Sequence, residues 1–448
     1  LGYSVVTPVF VAEQLKAGRA AQLKSAAKAK SADLDLGDLA TANEITKKDR
    51  WRGTVEPASP AESWFVSATA AYWRMLDDLD DDQSQAAEEL ADQLAGLENR
   101  YLYTISREDD LAALDAHRAY DRYGPYLVPR IKGVFALHQL RLLLGNDVFF
   151  DVMRTAHERY RNQEMTTAQF IAVAEDVSDR SLAAFIRQWL EREGLPQPRP
   201  SVEVAKARGG GWDLKIVVAQ GGDQYQFMTH VEVEAGEERS LHKIEVAGKK
   251  GIALHFEEKP TRVVFDALHA IPVAHDNFYV WQNFIDEFHD TQIVYGTARQ
   301  IEANHTMARR WQEETADTYI EILPPLVKDA EMTEEQAATH DLMVMGTLAD
   351  NYFFGHMPEN IPVEFGRNHF EWMGETYGDI DDGLFLVVPN PWNPERVMYV
   401  MAANTGMQLF EMTEKYQRGI PQWARYEGPE IVDQGYFDRP GFVIELGE

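Results

Sequence analysis

Residues 43–73 read NEITKKDRWRGTVEPASPAESWFVSATAAYW, and the reading of the whole chain turns on them. The second half is plain. From Trp64 onward apolar residues recur at helical spacing, and Ser59 or Ser63 stands where a cap belongs. The first half is polar, carries WRG at 51–53 and the prolines Pro57 and Pro60, and contains no histidine.

Working outward, residues from about 8 to 193 read as helices. SQAAEELADQLAGLENRYLYTI keeps the helical period, and KGVFALHQLRLLLG stops at Gly145. NDVFFDVMRTAHERYRNQ, TTAQFIAVAEDVS and DRSLAAFIRQWLEREG follow, each amphipathic and each opened by an Asn, Thr or Asp suited to capping. The spacing predicts an antiparallel helical array over 1–198. Pro196, Pro198 and Pro200 then mark a boundary. Between 199 and 290 the period shortens to that of strands, in WDLKIVVAQ, YQFMTHVEVEA, SLHKIEVAG, GIALHFEEK and TRVVFDAL, which predicts a small antiparallel β-sandwich. From 291 to 448 strand-like and helix-like runs alternate, as in TQIVYGT, ARQIEANHTMARRWQEETADTY and DLMVMGT. That pattern predicts an open, mainly parallel, Rossmann-like α/β domain. The expected fold class is therefore multidomain α+β.

Acidic residues outnumber basic ones 73 to 43, and no basic stripe breaks the net charge of −30. Nucleic acid and anionic membrane surfaces are disfavoured as partners. Such a surface fits high solubility or a salt-rich setting, with Ca²⁺ or other cations as candidate companions. The absence of cysteine excludes disulfides, zinc–thiolate sites and thiol catalysis. No apolar run reaches the ~18 residues of a membrane span. The opening LGYSVVTPVFVAEQLKAGRA has no basic region ahead of its apolar stretch and no evident cleavage site, which fits a processed or trimmed chain.

The order of motifs from 43 to 196 resembles the gluzincin, aminopeptidase N-like zinc peptidases. WRG (51–53), VEPAS (55–59), SWFVSATAAY (63–72), VPRIKGVFALHQL (128–140) and the run from Leu144 to Pro196 carry the likeness. The resemblance implies a helical catalytic domain followed by a β-sandwich. It also implies a zinc site of two imidazoles one helical turn apart, a carboxylate from a neighbouring helix and an open position for water. A glutamate would serve as base and a tyrosine as oxyanion donor. Carried over, the histidines fall on Asn43 and Lys47 with Glu44 as the base, or on Ile45 and Asp49 in a second register. The ligand glutamate falls on Ser67 and the tyrosine on Arg130. The first histidine of the chain is His117, so neither register supplies an imidazole. Only 42 residues precede Asn43, too few for the family's amino-terminal β domain, which implies a longer polypeptide or a truncated architecture.

Other stretches raise candidates of their own. His269 and His275 stand near Asp266 and Asp276, a grouping able to bind a metal, although a polar turn with solvated histidines is the plainer reading. DDLDDDQ (77–83) has the front of a calcium loop without its glycine or distal glutamate, and reads most simply as an acidic helix end. Gly296–Thr297 and Gly346–Thr347 each close a strand, where doubly wound sheets bind ligands, although Gly and Thr are also ordinary turn residues. Trp392, in VVPNPWNPER, is either an exposed anchor for a partner or part of a tight turn. No G-x-S-x-G elbow is present.

Three readings follow. In the first the chain is a non-catalytic, metallopeptidase-like scaffold with no cofactor, a binding or assembly component outside the cytoplasm whose partner is a protein or larger assembly. In the second it is an active zinc aminopeptidase whose site is non-standard, drawing on His117 or His138, or is completed by another chain. In the third the α/β domain binds a nucleotide or small anion.

Overall fold

The computed structural model describes residues 54–77, 79, 82–107, 109–115, 123–248, 251–281, 284, 288–318, 323–414 and 420–447. The fold is mixed α+β. The described chain divides into two compact units, one made of 54–275 with 438–447 and the other of 276–437.

In the first unit a short strand β1 (Val55–Pro57) leads into α1 (Trp64–Asp77), then α2 (Gln83–Arg107), α3 (Tyr123–Leu144) and α4 (Asn146–Arg159). Strand β2 (Gln163–Met165) pairs in parallel with β1, and α5 (Thr167–Ser178) and α6 (Ala183–Leu190) complete the helices. Helix α1 buries Trp64, Phe65, Ala68, Tyr72, Trp73 and Leu76, the inward face its spacing predicts. It crosses α3 closely. A Cβ on Gly133 would lie 2.6 Å from Ala68 Cβ and 2.9 Å from Trp64 Cε3, so glycine there permits the approach. The Thr166 cap closes a reciprocal box with Gln169. Asn146, by contrast, is not a cap. The turn is made by Gly145 at φ 77, and Asn146 becomes the first residue of α4.

Strands β3 (Gln197–Lys206), β4 (Trp212–Gly221), β5 (Phe227–Ala235), β6 (Glu238–Val246), β7 (Ile252–Phe256) and β8 (Pro260–Phe265) form two antiparallel sheets. The proline run expected as a boundary lies partly within β3. Pro198 and Pro200 are tolerated there because β3 is an edge strand, with β4 as its one neighbour. Gln139 of α3 donates to the Met228 and Ala270 carbonyls, each at 2.8 Å, and accepts from Met228 N at 2.8 Å. Helices and sheets are thereby stitched into one unit.

In the second unit the order is β9 (Thr291–Tyr295), α7 (Ile301–Thr318), β10 (Leu326–Lys328), α8 (Glu334–Ala337) and β11 (Asp341–Thr347). A small sheet of β12 (Val363–Phe365), β13 (Phe370–Trp372) and β14 (Glu375–Tyr377) follows. Then come β15 (Asp382–Asn390), β16 (Asn393–Ala403), α9 (Gly406–Glu414), β17 (Trp423–Glu427) and β18 (Glu430–Gly435). The seven-stranded sheet runs β10-β9-β11-β16-β15-β17-β18. Its first four strands are mutually parallel and the other three pairings are antiparallel, so it is not mainly parallel as expected. The cause is local: the turn between Asn390 and Asn393 is too short for a crossover, and a tight turn can only join antiparallel strands.

The last strand, β19 (Val443–Glu445), pairs with β8 rather than with the α/β sheet. Expected in the α/β domain, residues 438–447 return to the first unit, where β19 extends the β8-β5-β6 sheet along its open edge.

Candidate functional site

Helix α3 is buried on every side from residue 131 to residue 142. A polar side chain on such a helix must find its partners inside the protein. Lys132 donates to Asp110 Oδ1 at 3.2 Å and to the carbonyls of Leu111 and Arg192 at 2.9 and 3.0 Å. Gln139 is satisfied by the sheet, as above. His138 Nδ1 lies 2.9 Å from Tyr72 Oη on α1. Arg141 donates from Nη1 to the same phenol at 3.3 Å and from Nε to Asn146 Oδ1 at 2.7 Å.

Burial raises the Tyr72 hydroxyl above its ordinary range, against the pull of Arg141, so it remains a phenol. Burial, reinforced by Arg141, His230 and Lys243, holds the His138 imidazole well below its usual value, so it is neutral. Those surroundings are cationic and oppose a divalent ion at His138.

Ser67 and Arg130 sit on α1 and α3, one residue before Ala68 and three before Gly133. The Ser67 hydroxyl donates to its own helix, to Ser63 O at 3.3 Å and Trp64 O at 3.1 Å. Arg130 is half-buried, and its Nε has no hydrogen-bond partner. Asn43, Glu44, Ile45, Lys47, Asp49 and His117 lie outside the described residues. Among the described residues no three His, Asp or Glu side chains are grouped to hold a metal ion.

A second polar centre forms around Arg439. Its Nη1 donates to Asp266 Oδ2 at 2.5 Å; its Nη2 donates to Glu98 Oε2, to His269 Nδ1 at 2.6 Å and to Ile271 O at 3.3 Å. A guanidinium can only donate, so His269 Nδ1 accepts. His275 Nε2 lies 3.1 Å from Glu98 Oε1. Asp266 also accepts from Thr229 Oγ1 at 2.5 Å and Ala270 N at 2.8 Å. Burial pushes the Glu98 carboxyl up, but the Arg439 guanidinium above all, with His275, more than reverses this and holds it well below the carboxylate range. The solvated turn that was the plainer reading of 266–275 is therefore an enclosed network, with the His275 side chain only 9% exposed. Sequence spacing brings Asp266, His269 and His275 together but misses Glu98 and Arg439. Both lie more than 160 residues from the turn, and neither has a local signal.

In the α/β unit the two Gly-Thr turns do come together. Tyr295 and Met345 are partners in the β9–β11 register, so Gly296–Thr297, which follow β9, stand beside Gly346–Thr347, the last two residues of β11. Their polar groups engage one another. Asn304 of α7 donates to Gly296 O at 3.0 Å and accepts from Thr347 N at 3.2 Å. Thr297 Oγ1 donates to Asp329 at 2.5 Å, and Thr347 Oγ1 to Asp350. The two glycines differ. A Cβ on Gly296 would come within 2.6 Å of the Asp350 backbone, whereas one on Gly346 would meet nothing closer than 3.5 Å.

Trp392 is half-buried, its ring 5.0 Å from Phe353 and 5.4 Å from His356, and Tyr352, 51% exposed, continues the aromatic row 4.3 Å from His356. In the acidic run, Asp82 accepts from Gln85 N at 3.1 Å, as at a helix start, while residues 78, 80 and 81 lie outside the described residues. Among the described residues no helix is long and apolar enough to cross a membrane.

No family model and no curated protein matches this chain. Among solved structures it is similar to a Legionella pneumophila aminopeptidase A in complex with aspartic acid, at 13% identity and a TM-score of 0.36. The match covers 65% of this chain and 32% of that one. A likeness so loose decides neither the fold nor the activity.

Proposed function

We propose that this chain is a non-catalytic binding or assembly component, built on a peptidase-like helical unit and working outside the cytoplasm. The observation that carries the reading is at position 67. A zinc site of the kind the sequence resembles needs a carboxylate on α1, and here a serine hydroxyl is spent on its own helical turn. Position 130 supports it, since an arginine stands where the resemblance calls for a phenol to stabilise an oxyanion. His138, the described histidine considered as a substitute ligand, is engaged by Tyr72 and surrounded by cationic groups.

Two measurements on the purified chain test this. Elemental analysis after dialysis should find no stoichiometric zinc, and amino-acid arylamides should give no chelator-sensitive release. One tightly held zinc per chain together with chelator-sensitive turnover would return the chain to the zinc aminopeptidases.

A further inference from the structure

Arg141 is 1% exposed, and its charge has no visible counterweight. Nε and Nη1 are used by Asn146 Oδ1 and Tyr72 Oη, both neutral groups. Nη2 is buried without an acceptor, and so is the Nδ2 of Asn146, the residue beside it. Among the described residues no carboxylate lies within ion-pair distance of this guanidinium. The charged or titratable groups that act on its neighbour His138 are Arg141 itself, His230 and Lys243, all of the same sign when charged. The Tyr72 phenol does not ionise to balance it, and a guanidinium does not give up its proton. The wall is aromatic, with Phe150 5.6 Å from the guanidinium carbon. A lone charge in such a place is heavily penalised unless something pairs with it.

We propose that a small monovalent anion of the halide class, chloride in physiological media, binds between Arg141 Nη2 and Asn146 Nδ2. Each feature fits such a guest. The two unused groups are both donors, and they belong to residues that the Arg141 Nε–Asn146 Oδ1 hydrogen bond already holds together. Asn146 opens α4, a helix of 14 residues, so the anion also lies by the positive end of a helix dipole. One guanidinium balances one negative charge, which favours a monovalent ion over sulfate or phosphate. A water molecule could accept the two hydrogen bonds but would leave the charge unbalanced.

The test uses the full chain. Thermal unfolding is followed while sodium chloride replaces sodium gluconate at fixed ionic strength, and crystals grown in bromide are examined for anomalous scattering. Tm should rise with chloride and saturate as for a single site, and a bromide peak should stand in contact with Arg141 Nη2 and Asn146 Nδ2. Asn146→Asp places a carboxylate on the same guanidinium. It should unfold at the same temperature in both salts, at or above the wild-type value in gluconate, and lose the bromide peak. Arg141→Met should also lose the halide response. Equal wild-type Tm values in chloride and gluconate with no bromide peak at Arg141 would overturn the proposal. So would electron density showing a carboxylate of the chain's own on Arg141, or a chloride response that persists in Asn146→Asp.

Discussion

Arg439 and Arg141 lie in the same compact unit, 6% and 1% exposed, and their charges meet opposite surroundings. Arg439 arrives on the last segment of the chain and lands between two carboxylates, Asp266 and Glu98, with His269 and the Ile271 carbonyl also accepting from its Nη2. Arg141 sits on a central helix among groups that are neutral or cationic. The first arrangement is balanced in charge by the chain's own carboxylates and joins segments hundreds of residues apart. Each guanidinium leaves one buried nitrogen without an acceptor, Nε in Arg439 and Nη2 in Arg141, so the difference lies in charge: carboxylates of the chain balance Arg439, and among the described residues none pairs with Arg141. The difference teaches where a buried charge serves as a clasp and where it serves as a receptor. A guanidinium supplied with carboxylates by its own chain holds the fold together, and one left without them is built to take an anion from outside.

The largest effect should come from opening the clasp. Arg439→Met leaves Glu98 and Asp266 enclosed without their cation, and breaking a buried pair from one side costs about 3–5 kcal/mol. Urea unfolding should show that loss, and adding Glu98→Gln to the same chain should recover part of it by removing one of the stranded charges. A loss below about 1 kcal/mol would mean that β19 and its neighbours hold the segment without the ionic network, and the contrast between the two arginines would collapse.

Glu98→Gln alone should cost less, because Arg439 keeps Asp266. Its sharper signature is in pH. The Glu98 carboxyl lies lower in the folded chain than unfolded, so its contribution is fully present above the ordinary glutamate value of about 4.3 and is lost as pH falls below it toward the folded value. The wild type should therefore lose stability steeply below about pH 4.3, and Glu98→Gln should lose it less steeply over the same window. Parallel acid limbs in the two proteins would show that Glu98 gains no folded-state advantage from Arg439.

How much of this was legible follows from the range of each interaction. The buried faces of α1 and β11, the Thr166 cap and the β15–β16 hairpin all rest on neighbours a few residues apart, and each is readable from spacing and turn chemistry. That the two Gly-Thr ends lie at one edge of the sheet was legible from the strand–helix alternation, whereas their side-by-side register comes from the β9–β11 pairing itself. The sheet's parallel and antiparallel halves were less so, because β17 and β18 lie in WARYEGPEIVDQG, a stretch with no run of apolar residues. The Arg439 clasp was out of reach. Glu98 lies within an ordinary helical pattern and Arg439 in YFDRPG near the end, and nothing in either stretch names the other. Asn146 misled in an instructive way. It has the identity of a cap, yet Gly145 takes that place and the amide turns to Arg141. A side chain's neighbours in space, not its type, decided its role.

The smallest effect tests the Arg141 side through His138. Its folded value is depressed, so the unfolded chain binds a proton that the folded chain refuses. Stability is then fully present above the ordinary histidine value of about 6.5 and falls as pH drops below it, at up to about 1.4 kcal/mol per pH unit. This window lies well above that of Glu98, so the two regions can be read separately in one titration. His138→Gln can still pair with Tyr72 and should cost only about 1 kcal/mol at pH 8 while flattening the slope between about pH 5 and 6.5. The anion sharpens the test. A negative ion on Arg141 offsets one of the charges that depress His138, so chloride should raise the histidine's folded value and shrink the slope in the wild type. In Asn146→Asp the carboxylate is permanent, and the slope should be the same in either salt. A wild-type slope indifferent to chloride would separate His138 from the anion even if the ion binds, leaving Arg141 as a site without influence on its neighbour.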